Sequence, residues 1–170
     1  NLNTLWLIKN SHPIKNSIMK YLLFSLLFSF SLVAGEIEFR NVTFAEGLAA
    51  AKEEGKPVFI DCFTTWCGPC KRELPYSRKI EENFKDREDV VFLFVAMERG
   101  SRDYWKEFVN NNNLPGTHLY TSNDNRNLVP YKITSVPRYV LLDKEGNIYD
   151  AFASRPSQNM EVQIAKVLEL

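Results

Sequence analysis

Cysteine and histidine are scarce in this sequence, which has three cysteines and two histidines among 170 residues. So few ligands exclude a four-ligand zinc ribbon and a small scaffold held by several disulfides. Charge of one sign is not in excess either, because 21 basic residues balance 21 acidic ones, and this balance indicates no nucleic-acid partner. Hydrophobic residues make up 45% of the chain, which excludes a disordered or low-complexity polypeptide and fits one ordinary domain.

Only one apolar stretch approaches the length of a membrane span, and it lies near the start of the chain. It covers 21–33 (YLLFSLLFSFSLV), follows Lys20 and precedes two small residues. It is shorter than the roughly 20 apolar residues that a membrane-spanning helix needs. A cationic start, an apolar centre and a small-residue end predict a secretory signal peptide at 19–35. An uncleaved membrane anchor and a buried helix are the alternatives.

The residues before this predicted signal peptide show no pattern that indicates a helix or a strand. Residues 1–18 contain no methionine and are rich in Asn, Lys and Ser. We therefore expect translation to begin at Met19 and 1–18 to be a non-native upstream extension. Export would leave 36–170 as the mature domain in the periplasm or another exported location, where disulfide chemistry is available.

Hydrophobic patterning in 36–170 predicts alternating strands and helices. Strands are expected at 37–43, 58–63, 90–97, 138–142 and 148–153, and helices at 44–54, 71–86, 101–110 and 157–170. The stretch 117–133 is predicted to be irregular, with a helical turn around 128–131, and His118 is expected in a loop without a partner. This order predicts an α/β domain whose mixed sheet is covered by helices on both faces.

The most specific chemical feature is the motif WCGPC at 66–70, placed at a predicted strand-to-helix junction. Two thiols three residues apart can close a small disulfide with little backbone movement. Cys67 would lie at the helix N-terminus, where free N–H groups favour a thiolate, so we expect Cys67 to attack and Cys70 to resolve. Haem attachment is excluded because Lys71, and not histidine, follows the second cysteine.

Two other uses of a cysteine pair are metal binding and a purely structural disulfide. Zinc would need a second pair of ligands, and neither Cys62 nor His118 supplies one. We expect Cys62 to be a small buried hydrophobic residue, and we expect no metal. A structural disulfide stays open as an alternative, although it does not require the Trp, Gly and Pro around the cysteines.

With these residues in place, the chain resembles the thioredoxin superfamily over about 36–170. Asp61 lies six residues before Cys67, at the position of a buried acid that helps to move the proton of the resolving cysteine. Because Asp61 ends an apolar strand, we expect burial to raise its pKa above the usual value. Pro75 resembles the proline that interrupts the active-site helix of this superfamily.

The second half of the chain extends the resemblance. Val136 and Pro137 resemble the cis-proline loop that faces the cysteine pair, and 143–153 resembles the closing β-hairpin. Within the superfamily, the chain looks most like the exported TlpA/ResA-like thiol-disulfide oxidoreductases. Residues 71–75 (KRELP) resemble the helix after their motif, and 98–133 resembles their central insertion, which comes before the cis-proline strand.

The resemblance implies a thioredoxin fold and a redox-active disulfide between Cys67 and Cys70. It implies catalytic roles for both cysteines and for Asp61. The residues expected to contact the substrate are Trp66, Gly68, Pro69, Val136 and Pro137. No bound cofactor is expected, because the two sulfurs are themselves the redox group.

The partners implied by the resemblance are exported proteins with disulfides or thiols, with apocytochrome c as one candidate, and an upstream membrane electron donor. Gly-Pro between the cysteines resembles the reducing thioredoxins, so we expect a low reduction potential. Two alternatives stay open, namely a non-catalytic peptide-binding module of the same fold and a thiol peroxidase. A peroxidase would pair a threonine with an arginine; Thr64 is present, but spacing assigns no arginine to it.

Overall fold

Six strands and four helices alternate along the residues that the computed structural model describes, which are 37–121, 131 and 133–170. The strands are β1 (Ile37–Phe39), β2 (Val58–Phe63), β3 (Val91–Met97), β4 (Gly116–Thr121), β5 (Arg138–Leu142) and β6 (Ile148–Asp150). The helices are α1 (Phe44–Glu53), α2 (Gly68–Phe84), α3 (Arg102–Asn111) and α4 (Met160–Leu168). The expected signal peptide, the expected upstream extension and most of the turn predicted at 128–131 lie outside the described residues.

The strands form one mixed sheet in the order β1-β4-β3-β2-β5-β6. Strands β1, β4, β3 and β2 run parallel, whereas β5 is antiparallel to β2 and β6 is antiparallel to β5. The continuous apolar run of β2 is explained by its central position, since all six of its residues are buried. The predicted mixed sheet is confirmed.

Each face of the sheet packs against its own helices. Alternate residues of β2 and β3, such as Phe59 and Phe94, join a core that includes buried side chains of α2, α3 and α4. The intervening residues, such as Ile60 and Leu93, pack with α1. Because side chains alternate along a strand, the central strands contribute to both cores. Helices therefore cover both faces, as predicted.

Two helix starts differ from the sequence prediction, and one agrees with it. Helix α1 begins at Phe44 as predicted, and Thr43 caps it, because its hydroxyl accepts the N–H of Glu46 while its own N–H donates to the Glu46 carboxylate. Helix α2 begins at Gly68 and not at 71, because the side chain of Cys67 acts as its N-cap. Helix α4 begins at Met160 and not at the predicted 157, and the Ser157 hydroxyl instead donates to the Glu73 carboxylate of α2.

The prediction of an irregular stretch over 117–133 is wrong at its start, because Gly116–Thr121 forms β4 between β1 and β3. His118 is therefore a buried strand residue and not a loop residue. Its ring stacks on Phe94 with centroids 4.9 Å apart, and its Nε2 pairs with the Leu114 carbonyl at 2.9 Å. A periodicity analysis misses this strand because Thr117, His118 and Thr121 break the apolar pattern, whereas the burial of β4 depends on its pairing with β1 and β3.

Burial lowers the pKa of His118 to about 4. In the unfolded chain this histidine takes up a proton near its ordinary pKa of 6.5, so acidification below that value favours unfolding. We expect the stability of the wild type relative to His118→Leu to fall by about 3 kcal/mol between pH 7.5 and pH 4. Denaturant unfolding of both proteins at each pH measures this difference, and a difference that is independent of pH would contradict it.

Candidate active site

The two motif cysteines lie where the central strand β2 leads into helix α2. They form a disulfide with an S–S distance of 2.10 Å and a Cα–Cα distance of 5.2 Å. The Cys67 Sγ accepts the backbone N–H of Cys70 at 3.1 Å, so Cys67 caps the helix. Both cysteines are buried, whereas the neighbouring Trp66 is 70% exposed. The sulfur pair is thus buried, and a large exposed aromatic side chain directly precedes it in the sequence.

The helix start explains how the two sulfurs can differ in chemistry. Gly68 and Pro69 form the exposed first turn of α2, and Pro69 has no N–H that would need a partner there. The remaining N–H groups and the positive end of the helix dipole lie against Cys67, and they favour a negative charge on its sulfur after reduction. Cys70 lies one turn inside the helix. This arrangement favours Cys67 as the attacking thiolate.

Asp61 lies in β2 under helix α2. Its side chain is 2% exposed, and its Oδ2 accepts a hydrogen bond from the Ser77 hydroxyl at 2.9 Å. Burial raises the pKa of Asp61 to about 7, the Ser77 hydrogen bond opposes this rise, and the negative charge of Glu73 adds to it. The expected burial and the direction of the pKa shift are confirmed. A carboxyl group that titrates near neutrality can hold or release a proton under working conditions.

The segment that faces the cysteines contains a cis peptide bond between Val136 and Pro137, as the resemblance implies. An open groove of about 670 Å³ lies between this segment, the motif and the end of β3. Four of the expected substrate-contacting residues line this groove together with Cys67, and they are Trp66, Gly68, Pro69 and Val136. Pro137 directly follows the groove-lining segment but is not itself part of the lining.

Glu98, which directly follows β3, is a site residue that sequence reasoning missed. It lines the same groove, its side chain is buried, and its Oε1 accepts the backbone N–H of Thr65. The carbonyl of Thr64 in turn accepts the N–H of Cys67 at 3.2 Å. Glu98 therefore anchors the loop before the motif. Its position at the carboxyl end of a strand next to β2 was the signal available in the sequence.

Glu73 is a second residue that sequence reasoning did not single out. It is buried in α2, where its carboxylate accepts the N–H of Ser157 at 3.0 Å and the Ser157 hydroxyl at 3.1 Å. Arg155 lies 3.8 Å from the same carboxylate. These contacts join the active-site helix to the segment before α4, and they place a negative charge close enough to influence Asp61.

The role of Glu98 can be tested by comparing two substitutions. Glu98→Ala leaves the buried N–H of Thr65 without an acceptor, so we expect it to lower the free energy of unfolding by about 1–3 kcal/mol. Glu98→Gln keeps an acceptor oxygen and should cost less than half as much. Denaturant unfolding of the oxidised proteins measures both values, and equal losses in the two variants would contradict an anchoring role for the hydrogen bond.

Within the described residues, no three His, Cys, Asp or Glu side chains come together as a metal-binding group. In the same part of the chain, no helix combines the length and apolarity needed to cross a membrane. Cys62 is buried in β2 outside the disulfide, and burial raises the pKa of its thiol, so it stays protonated and unreactive at neutral pH.

Comparisons with known proteins point in the same direction as this geometry. Residues 55–148 match the family model described as thioredoxin-like. The thioredoxin-like protein YneN of Bacillus subtilis is 28% identical over 98 residues, which cover 57% of this chain and 56% of YneN. Thiol-disulfide oxidoreductase ResA of Bacillus thuringiensis is 24% identical over 116 residues, which cover 67% of this chain and 65% of ResA. This chain thus spans less than two thirds of either relative.

A solved structure is similar over a larger share of both chains. It is the solution structure of a Bacteroides vulgatus protein that is described as a candidate thiol-disulfide oxidoreductase. The sequences are 32% identical, the match covers 72% of this chain and 78% of that chain, and the TM-score is 0.61. The similarity therefore extends over most of the chain.

Proposed function

We propose that this chain, which belongs to the thioredoxin-like family, is an exported thiol-disulfide oxidoreductase that reduces disulfides in other exported proteins. The observation that carries the proposal is the Cys67–Cys70 disulfide at the start of α2, in the wall of an open groove. The similarity of the chain to ResA and to the Bacteroides vulgatus protein supports the same chemistry. The two sulfurs exchange electrons directly, so the proposed reaction needs no bound cofactor.

The proposed reaction consists of two thiol-disulfide exchanges. The Cys67 thiolate attacks one sulfur of a substrate disulfide, which forms a mixed disulfide and releases the other substrate sulfur as a thiolate. Cys70 then loses its proton and attacks the Cys67 sulfur. This second step forms the Cys67–Cys70 disulfide and releases the second substrate sulfur. Two electrons have passed from the cysteine pair to the substrate, and an upstream donor must restore the dithiol.

Substrate binding is proposed to use the groove beside the motif. An extended segment of the substrate would lie along the backbone at Val136 and Pro137 and add main-chain hydrogen bonds there. The exposed indole of Trp66 would cover the segment from the other side. This orientation places the substrate sulfur next to Cys67 and leaves Cys70 shielded until the mixed disulfide has formed.

The proposed direction of electron flow makes the reduction potential a decisive quantity. The residues between the cysteines, Gly68 and Pro69, contribute no charged or imidazole group that would stabilise the thiolate further. We expect a potential near the thioredoxin end of the range from roughly −270 to −120 mV. Equilibration of the oxidised protein with glutathione buffers measures it. A value near the oxidising end would reverse the assignment and make the chain a donor of disulfides.

The proposed location and partners follow from the predicted signal peptide and from the relatives. A signal peptide at 19–35 would deliver the domain to the periplasm or another exported compartment. Exported proteins with oxidised cysteines are the proposed substrates, apocytochrome c is one candidate, and a membrane protein is the proposed electron donor. Expression of the full chain followed by cell fractionation tests the location, since a cytosolic domain that still carries 19–35 would contradict it.

A further inference from the structure

A second groove lies at the carboxyl end of the parallel strands, which is also the end of the sheet where the cysteine pair lies. Its volume is about 270 Å³, and the lining residues relevant here are Phe39, Arg40, Arg102, Trp105, Lys106 and Tyr120. It borders the carboxyl ends of β1 and β4, whereas the motif follows the carboxyl end of β2. In open α/β sheets, ligands commonly bind outside the carboxyl ends of parallel strands. The groove is therefore well placed for a binding site.

This groove is distinct from the one beside the cysteines. Strands β4 and β3 separate β1 from β2, and four parallel strands at normal spacing place β1 roughly 14 Å from β2. None of its lining residues belongs to the lining of the active-site groove. A ligand of the second groove would consequently leave the sulfur pair accessible.

Positive charge converges on the second groove from two elements. Arg40 follows β1, and its side chain is 8% exposed and pairs with Glu38 at 2.9 Å. Arg102 and Lys106 lie one turn apart on α3, so their side chains share a face of the helix. Within the described part of the chain, neither of these two residues forms an ion pair. The groove therefore has more positive than negative charge along its wall.

The two cations on α3 are held in place by neighbours that do not neutralise them. The Arg102 Nη1 donates to the Asn41 side-chain oxygen at 2.8 Å, and the guanidinium lies 5.0 Å from the ring centre of Tyr120. The Lys106 ammonium lies 5.7 Å from the ring centre of Phe39. Stacking on aromatic rings orients a cation and leaves its charge available to an anion.

We infer that the second groove binds a small molecule through a phosphate or carboxylate group. A guanidinium and an ammonium on one wall suit the oxygens of such a group, and Arg102 offers several N–H donors for charge-assisted hydrogen bonds. The wall also contains Trp105, whose indole N–H is buried and has no acceptor among the described residues. The volume is at the small end for ligand sites, which favours a compact ligand.

Calorimetric titration of the full chain tests this inference, with inorganic phosphate and acetate as separate probes at constant ionic strength. We expect saturable binding of at least one probe, and the comparison between them distinguishes a phosphate ligand from a carboxylate ligand. Arg102→Gln and Lys106→Gln should each weaken binding by about tenfold or more. The matched control is Lys79→Gln, which removes an exposed lysine of α2 and should leave the affinity unchanged.

Three outcomes would overturn the inference. They are the absence of saturable binding for both probes, an unchanged affinity in both α3 variants, and an equal loss in Lys79→Gln, which would indicate general charge attraction. Amide resonances of isotope-labelled protein give an independent readout, because binding should shift those of Asn41 and Arg102 but not those of Cys67 and Cys70. Neither measurement depends on redox activity, so the result stands apart from that of the proposed function.

Discussion

Disulfide reduction should disappear in Cys67→Ser, with a loss of about a thousandfold or more in the rate of insulin reduction. The physical reason is that Cys67 caps α2, where N–H groups favour a thiolate, and that it lines the groove whereas Cys70 does not. Serine can still cap the helix, with an oxygen in place of the sulfur, but it cannot form a disulfide. The assay measures precipitation of insulin chains in the presence of an added dithiol.

Cys70→Ser should give a different result that identifies the order of the two sulfurs. Attack by Cys67 is retained, but the mixed disulfide can no longer be resolved within the chain, so a covalent complex with the substrate should accumulate. Electrophoresis without reductant detects this complex, and mass spectrometry places the bond. Accumulation in Cys67→Ser instead would contradict the proposed order.

Cys62→Ser is a suitable control, because Cys62 is buried in β2 and lies outside the disulfide. We expect its activity to remain close to that of the wild type. Undiminished insulin reduction in Cys67→Ser would reject the mechanism altogether. Consumption of peroxide by the reduced protein without a disulfide substrate, with oxidation of the cysteine pair, would favour a thiol peroxidase. Peptide binding by the wild type without any turnover would favour a binding module.

Features that depend on local sequence could be predicted for this chain. The pattern around WCGPC placed the cysteine pair at a strand-to-helix junction, because the apolar run of β2 ends where the charged helix begins. The central strands were recognisable because burial on both faces demands continuous apolar residues. Asp61 could be identified through the resemblance to the thioredoxin superfamily, and its burial followed from the strand in which it lies.

Features that depend on contacts between distant segments could not be predicted. Strand β4 contains polar residues whose burial is set by β1 and β3, so no alternation of apolar residues revealed it. Glu98 contacts Thr65 across 33 positions of sequence, and Ser157 contacts Glu73 across 84. Hydrogen bonds formed over such distances leave no local pattern. These contacts nevertheless hold the loop before the motif and the helix after it. The site therefore depends on residues that the motif does not contain.

Asp61→Asn should make the fold more stable above neutral pH. The pKa of Asp61 is raised from 3.8 to about 7 in the folded protein, so its charge is more costly there than in the unfolded chain. This cost is absent below pH 4, grows as the pH rises to about 7, and stays constant above that. We expect a gain of up to about 4 kcal/mol at pH 8 and little change at pH 3.5, measured by denaturant unfolding.

Ser77→Ala provides a matched test of the same group. The Ser77 hydroxyl donates to Asp61 and holds its pKa lower than burial alone would allow. Loss of this hydrogen bond should raise the pKa of Asp61 further and move the pH dependence of activity to higher pH. The nucleophile and its helix start are unchanged in this variant, so a shift along the pH axis would identify Asp61 as the titrating group.

The same Asp61→Asn substitution should slow resolution of the mixed disulfide while first attack by Cys67 stays nearly intact. Cys70 must lose its proton as it attacks, and a buried carboxyl that titrates near pH 7 can accept it, directly or through a water. Loss of such a base typically costs about 10²–10⁴-fold in the step it serves. Rapid mixing with a disulfide substrate, followed by acid quenching, separates the two steps. Resolution at the wild-type rate across neutral pH would show that Asp61 is only a structural residue of β2 and that another group takes the proton of Cys70.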